Sequence, residues 1–267
     1  MQKNMSVPTA AAAAVLAAGL ALAGCGSSAS SSASKQAGSS SSSSAGGSGT
    51  HSASAATPPA ATSAGSSASV PFPIGVGNTW TYDIAANGES GTTVNKMTAV
   101  TPVAGGQQVT MTTTDHLAGT SESSTETFIF HSDGSISYPL GQVSAGSGVT
   151  LSSSGVVWPP ASVIDSGKAT PSDIKLLIKV AGQAISTTAH VTVQGEGTAT
   201  VTVPAGTYQA TVVLVTEQMS IDGITVNVQT KTWFAPGVGP VKDQASTTDA
   251  GASSIAVTEE LVSFTKG

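Results

Sequence analysis

The sequence predicts an all-β protein: a single antiparallel β domain, strongly curved into an open barrel or a sandwich, carried behind a disordered tether. Three observations point there. Thr, Val, Ser and Gly dominate the last 198 residues, and β-branched residues suit the pleated surface of strands. Apolar and polar residues alternate with period two in run after run. Turn residues punctuate those runs at intervals of roughly 8–12 residues.

The chain opens with Met1 to Thr9, whose only charge is Lys3, and an apolar run follows from Ala10 to Leu22. That run is shorter than the ~20 residues a membrane span needs. A weakly basic start, a short apolar centre and small closing residues describe an export signal over residues 1–24. Its end, Leu22-Ala23-Gly24-Cys25, resembles the lipobox of bacterial lipoprotein precursors, and Cys25 is the only cysteine. The resemblance implies that Leu22, Ala23 and Gly24 are read by the signal peptidase. It implies cleavage before Cys25 and a diacylglycerol on its thiol. The protein would then sit on the outer face of the cytoplasmic membrane. Residues 25–69 form the tether: Gly26 to Ser69 contains no Val, Ile, Leu, Met or aromatic residue. Such a segment cannot offset its ordering entropy by burial. As a flexible linker it reaches about 35–40 Å on average. It carries only Lys35, so no basic patch assists and the acyl chains must anchor alone.

Residues 70–267 hold all 11 aromatics and all 15 acids against 7 lysines. The chain has no arginine, so nothing here tracks phosphates and nucleic acid is excluded as a partner. Trp80, Tyr82 and Ile84 alternate with Thr81 and Asp83; Val109 and Met111 with Thr110 and Thr112; Phe128 and Phe130 flank Ile129. Asp133-Gly134 supplies a tight turn before Ser135–Tyr138. Ile174, Leu176, Ile178 and Val180 alternate with Lys175 and Lys179. The same stretch, after Thr170-Pro171-Ser172-Asp173, also fits a capped helix, and the strand is preferred. Ala181-Gly182-Gln183 would turn it into Ile185–Val193. Val201 and Val203 lead into Pro204-Ala205-Gly206, a turn from which Tyr208, Ala210, Val212 and Leu214 form one face of a long strand. Asp222-Gly223 turns that strand into the next, on which Val226, Val228 and Phe234 share a face. Pro236-Gly237-Val238-Gly239-Pro240 ends it. No other helix is expected.

Three strings carry a second resemblance: Gly77-Asn78-Thr79-Trp80-Thr81-Tyr82, Val203-Pro204-Ala205-Gly206-Thr207-Tyr208, and Trp233-Phe234-Ala235-Pro236-Gly237-Val238-Gly239-Pro240-Val241-Lys242. Together they resemble a group of exported bacterial β-proteins, often lipoproteins, of the domain-of-unknown-function kind. The resemblance spans most of residues 73–247. It implies a curved antiparallel sheet, loosely like the half-barrels of lipoprotein carriers, and no activity. Read from physics alone, Trp80 and Tyr82 seed the core and the glycines reverse the chain.

No catalytic, metal or cofactor set emerges. Cys25 is consumed by lipid, and no G-x-S-x-G elbow or H-E-x-x-H pair occurs. Asp115-His116, His131 and His190 read as surface groups. Glu122 with Glu126 share a strand face, while Glu259 and Glu260 point oppositely; both pairs read as solvated charge. Trp158-Pro159-Pro160 is expected at a rim or lid. The expected role is therefore a membrane-anchored, non-enzymatic protein held by membrane lipid through acylated Cys25. It would bind an apolar ligand, an envelope component or an envelope protein. One alternative is a structural or adhesive module contacting wall polymers or proteins. Another is an envelope hydrolase, which requires at least two of Asp115, His116, Glu122, Glu126 and His131 to converge.

Overall fold

In a computed structural model, the described residues run from Phe72 to Gly267, without residues 87, 118, 145–148, 181–182, 222–223 and 250–254. The expected Asp222-Gly223 turn and the Ala181-Gly182 loop fall on excluded positions, as do Cys25 and the tether. Twelve strands form one antiparallel meander: β1 Thr79–Ala86, β2 Glu89–Val103, β3 Gly106–Leu117, β4 Thr120–His131, β5 Ile136–Ser144, β6 Val149–Trp158, β7 Thr170–Val180, β8 Gln183–Val203, β9 Gly206–Ile221, β10 Ile224–Ala235, β11 Gly239–Asp249 and β12 Ile255–Thr265. The expected curvature is strong enough for the sheet to meet itself, because β1 pairs with β2 on one side and β12 on the other. Closure removes the free edges that a sheet of this length would expose. Among the described residues the β4–β5 seam is thin: only Thr125↔Ser144, Ile129↔Ser137 and Phe130↔Ile136 pair across it.

The strand reading of 170–180 is the one adopted, with Ile174 buried on its inner face. A short helix, α1 Ala161–Asp165, was not expected. Pro160 opens it by accepting from the amides of Val163 and Ile164, and Gly167 at φ 68° ends it. Five residues are too few for a periodic signal to show in sequence. The helix lies against Gly195 of β8, where an added Cβ would collide with the Ile164 carbonyl. Trp158, just before the helix, is 2% exposed and meets Phe234 edge-on at 5.0 Å. Trp158 is core rather than rim, and Pro159 is buried beside it.

The core fills the end of the barrel where the chain enters and leaves. Phe72 contacts Trp80, Phe130 and Phe234 edge-on at 5.9–6.0 Å. These rings come from β1, β4 and β10, which are far apart in the strand order, so Phe72 acts as a plug. Burying one such ring contributes roughly 1.5–3 kcal/mol.

The three sequence strings meet at this end. Trp80 Nε1 donates to the Val238 carbonyl at 2.6 Å, and the Tyr82 hydroxyl donates to Pro240 at 3.1 Å. The first motif is thus docked on the third. The second motif arrives on the hairpin of β8 and β9. A bulge at Gly195/Gly197 flips which face of that hairpin is buried. Below it Val191, Val193, Val213 and Val215 face inward; beyond it Val201, Val203, Ala210 and Val212 do. The expected single face therefore holds for Tyr208, Ala210 and Val212 but not for Leu214. The arm bends across the barrel, and the Ala205 amide donates to Leu261 of β12 at 2.8 Å. Asn78 fastens the two termini of the domain: its Nδ2 donates to Pro73 at 2.8 Å, and its Oδ1 accepts from the Gly267 amide at 3.1 Å.

Candidate functional site

Two regions concentrate polar chemistry: the inner wall beyond the aromatic plug, and a cavity on the outer wall of β8 to β11.

Strand alternation turns Asp115 of β3, Glu217 of β9, Asp243 of β11 and Glu259 of β12 inward, all less than 9% exposed. Glu122 and Glu126 of β4 face the same way, opposite Asp115 and Met111 in register, and are half-buried. No lysine or histidine is among the buried described residues. Lys231 pairs with Glu196, and Lys242 with Glu260, each at 2.7 Å on the outer wall. Three of these carboxyls hold their protons, because burial disfavours the charged form. Burial pushes Glu217 up to about 8, and Glu126 and Asp243 up to about 7. For Asp243 a hydrogen bond from Thr232 works against that rise. Asp243 faces Glu259 directly across the β11–β12 ladder, and burial, then Asp243 and Glu259, hold the Tyr82 phenol well above its ordinary value. Thr93 donates to Asp115 at 2.7 Å, and Thr113 donates to Asn95 at 2.7 Å. Both carboxylate oxygens of Glu217 are buried without a hydrogen-bond partner.

These positions correct two expectations. Glu259 is not solvated charge: it is 1% exposed, while Glu260 faces out. Glu122 and Glu126 line the interior rather than the solvent face. Of the residues required to converge for hydrolysis, Asp115, Glu122 and Glu126 share the inner wall. His116 is exposed, and His131 hydrogen-bonds Ser137 at 2.8 Å. Among the described residues no three His, Cys, Asp or Glu side chains gather as a metal site would require. The inward acids escaped the sequence reading because alternating Thr, Asn and Glu looks like a solvent face. Their one signal was register, since all but Glu122 sit two or four residues from an inward apolar neighbour.

The outer cavity measures about 540 Å³. Cross-strand register builds it in two rows. Thr192, Thr216, Gln229 and Ser246 stand abreast on β8, β9, β10 and β11; His190, Gln218 and Asn227 stand abreast one step further along. Gln218 Nε2 donates to Asn227 Oδ1 at 3.0 Å, and exposed His190 meets Asp173 at 2.7 Å. Apart from His190, read as a surface group, the sequence singled out none of these residues, because polar side chains on a strand's outer face look alike until register aligns them.

The DUF3108-like family matches residues 77–254. Among solved structures, a candidate exported protein with a YmcC-like fold from Bacteroides fragilis is similar over 73% of this chain and 98% of its own, at 20% identity and a TM-score of 0.49. A candidate lipoprotein from Parabacteroides distasonis is similar over 74% of this chain and 99% of its own, at 14% identity and a TM-score of 0.52. The second likeness supports the fold. No curated protein matches.

Proposed function

This chain belongs to the DUF3108-like family, and we propose that it is a lipid-anchored extracytoplasmic binding module that works without catalysis. The family match, and similarity to proteins described as exported or lipoprotein candidates, support the location. Acylated Cys25 joins the membrane lipid, and the tether holds the barrel away from it. The partner is an envelope component met on the outer wall. The observation that carries this reading is where space exists. The plugged end is occupied by the chain's own rings, with Trp80 and Tyr82 at most 1% exposed, whereas the 540 Å³ cavity opens on the outer face. That favours a polar envelope component over an apolar guest.

The test is metabolic labelling with a clickable palmitate analogue, followed by fractionation. Wild-type chain should take the label and sediment with membranes. Cys25→Ser should do neither. Unchanged labelling and sedimentation in the variant would defeat the anchoring.

A further inference from the structure

We propose that the outer cavity binds a neutral, hydroxyl-rich glycan chain, with the row Thr192–Thr216–Gln229–Ser246 as its hydrogen-bonding track. This deepens the reading above and rests on its choice of the outer wall as the binding surface.

The track is built and unspent. Strands lie 4.7–4.9 Å apart, so four abreast give a polar row about 14 Å long. Elsewhere on the barrel, several outward hydroxyls facing one another across strands bond to each other. Thr110 meets Thr127 at 3.4 Å, Thr112 meets Thr125 at 3.3 Å, and Thr114 meets Ser123 at 3.0 Å. Among the described residues, the four side chains of the track make no hydrogen bond to protein. In the adjacent row Asn227 spends only its oxygen, which leaves its amide donors available.

The lining selects the occupant by charge. Among the described residues it holds hydroxyls, amides and one histidine, and no lysine. The Glu217 carboxyl is buried on the inner side, so only this residue's backbone reaches the cavity. An anionic polymer would find no cation to pair with, and a cationic peptide no available carboxylate, since Asp173 is held by His190. Among the described lining residues Val228 alone is apolar, and it is buried. A peptide strand recognised through its backbone needs a sheet edge, and the strands that line this cavity, β8 to β11, are paired on both sides. A neutral chain rich in hydroxyls is what satisfies amides and hydroxyls in a row.

The experiment is affinity electrophoresis of the detergent-solubilised full chain in gels containing dextran, mannan or soluble starch, with polygalacturonate as the acidic comparison. At least one neutral gel should retard the protein, and polygalacturonate should not. Thr216→Val with Gln229→Ala removes two track groups and should weaken retardation at least about tenfold. Thr112→Val, on the β3 outer face, should leave it unchanged; thermal melting checks that both variants fold. The proposal is overturned by no retardation in any neutral gel, by equal retardation in polygalacturonate, or by retardation that survives the double variant. The anchoring test is read in cells and this one on purified protein, so either can fail alone.

Discussion

Replacing Glu217 with glutamine keeps the side chain's shape and removes its ability to ionise. Glu217 is 3% exposed, and burial raises its carboxyl from 4.5 to about 8. Between those values the folded protein holds a proton that the unfolded chain has released. Stability therefore falls as pH rises through this window. The contribution of the neutral buried acid is complete below about pH 4.5 and is lost by about pH 8. A window of this width corresponds to about 5 kcal/mol at most, at 1.36 kcal/mol per pH unit. Glu217→Gln escapes that loss, while Glu126 and Asp243 titrate alike in both proteins. Urea unfolding followed by tryptophan fluorescence should show near-equal stabilities at pH 4.5. At pH 8.5 the variant should be ahead by several kcal/mol, or roughly 10–20 °C in melting temperature for a domain of this size. A difference that does not change with pH, or a wild type that gains on the variant as pH rises, would refute the burial argument.

Asn78→Ala removes both bonds that fasten the domain's ends, to Pro73 and Gly267, and strands their partners. It should cost about 2 kcal/mol, read by urea denaturation, with earlier hydrogen exchange at the β1 and β12 termini. Gly195→Ala places a methyl against the Ile164 carbonyl, a backbone atom that cannot swing aside. Helix α1 should lift from β8, lowering the melting temperature and shifting the Trp158 emission.

Sequence reading reached the fold because alternation and turns are local. Trp80, Tyr82, Phe128, Phe130 and Phe234 were legible as inward, and so was the strand at Ile174. Closure was not legible, because the pairing of β1 with β12 joins residues nearly the whole domain apart. The bulge at Gly195/Gly197 was hidden for a related reason. Alternation persists on each side of it, and only the partner strand shows that the buried face has changed. The outer track was hidden more deeply: Thr192 and Ser246 become neighbours in one row only through β9 and β10.

The buried acids also revise what the composition says about charge. The formal net charge is −6 at pH 7. Glu217 at about 8, with Glu126 and Asp243 at about 7, retain between them about two protons at neutral pH. The effective charge is thus less negative than a residue count gives, and the neutralised groups are the ones facing inward. The expectation that nucleic acid is not a partner rests on missing arginine, which the retained protons do not touch. For the outer wall the consequence is more specific. Lys231 and Lys242 are matched by Glu196 and Glu260, and His190 by Asp173. These pairs leave the track between them without a dominant field, so an occupant must be recognised by hydrogen-bond geometry and not by long-range attraction. Binding there should consequently change little with added salt, whereas a partner captured by charge would be released.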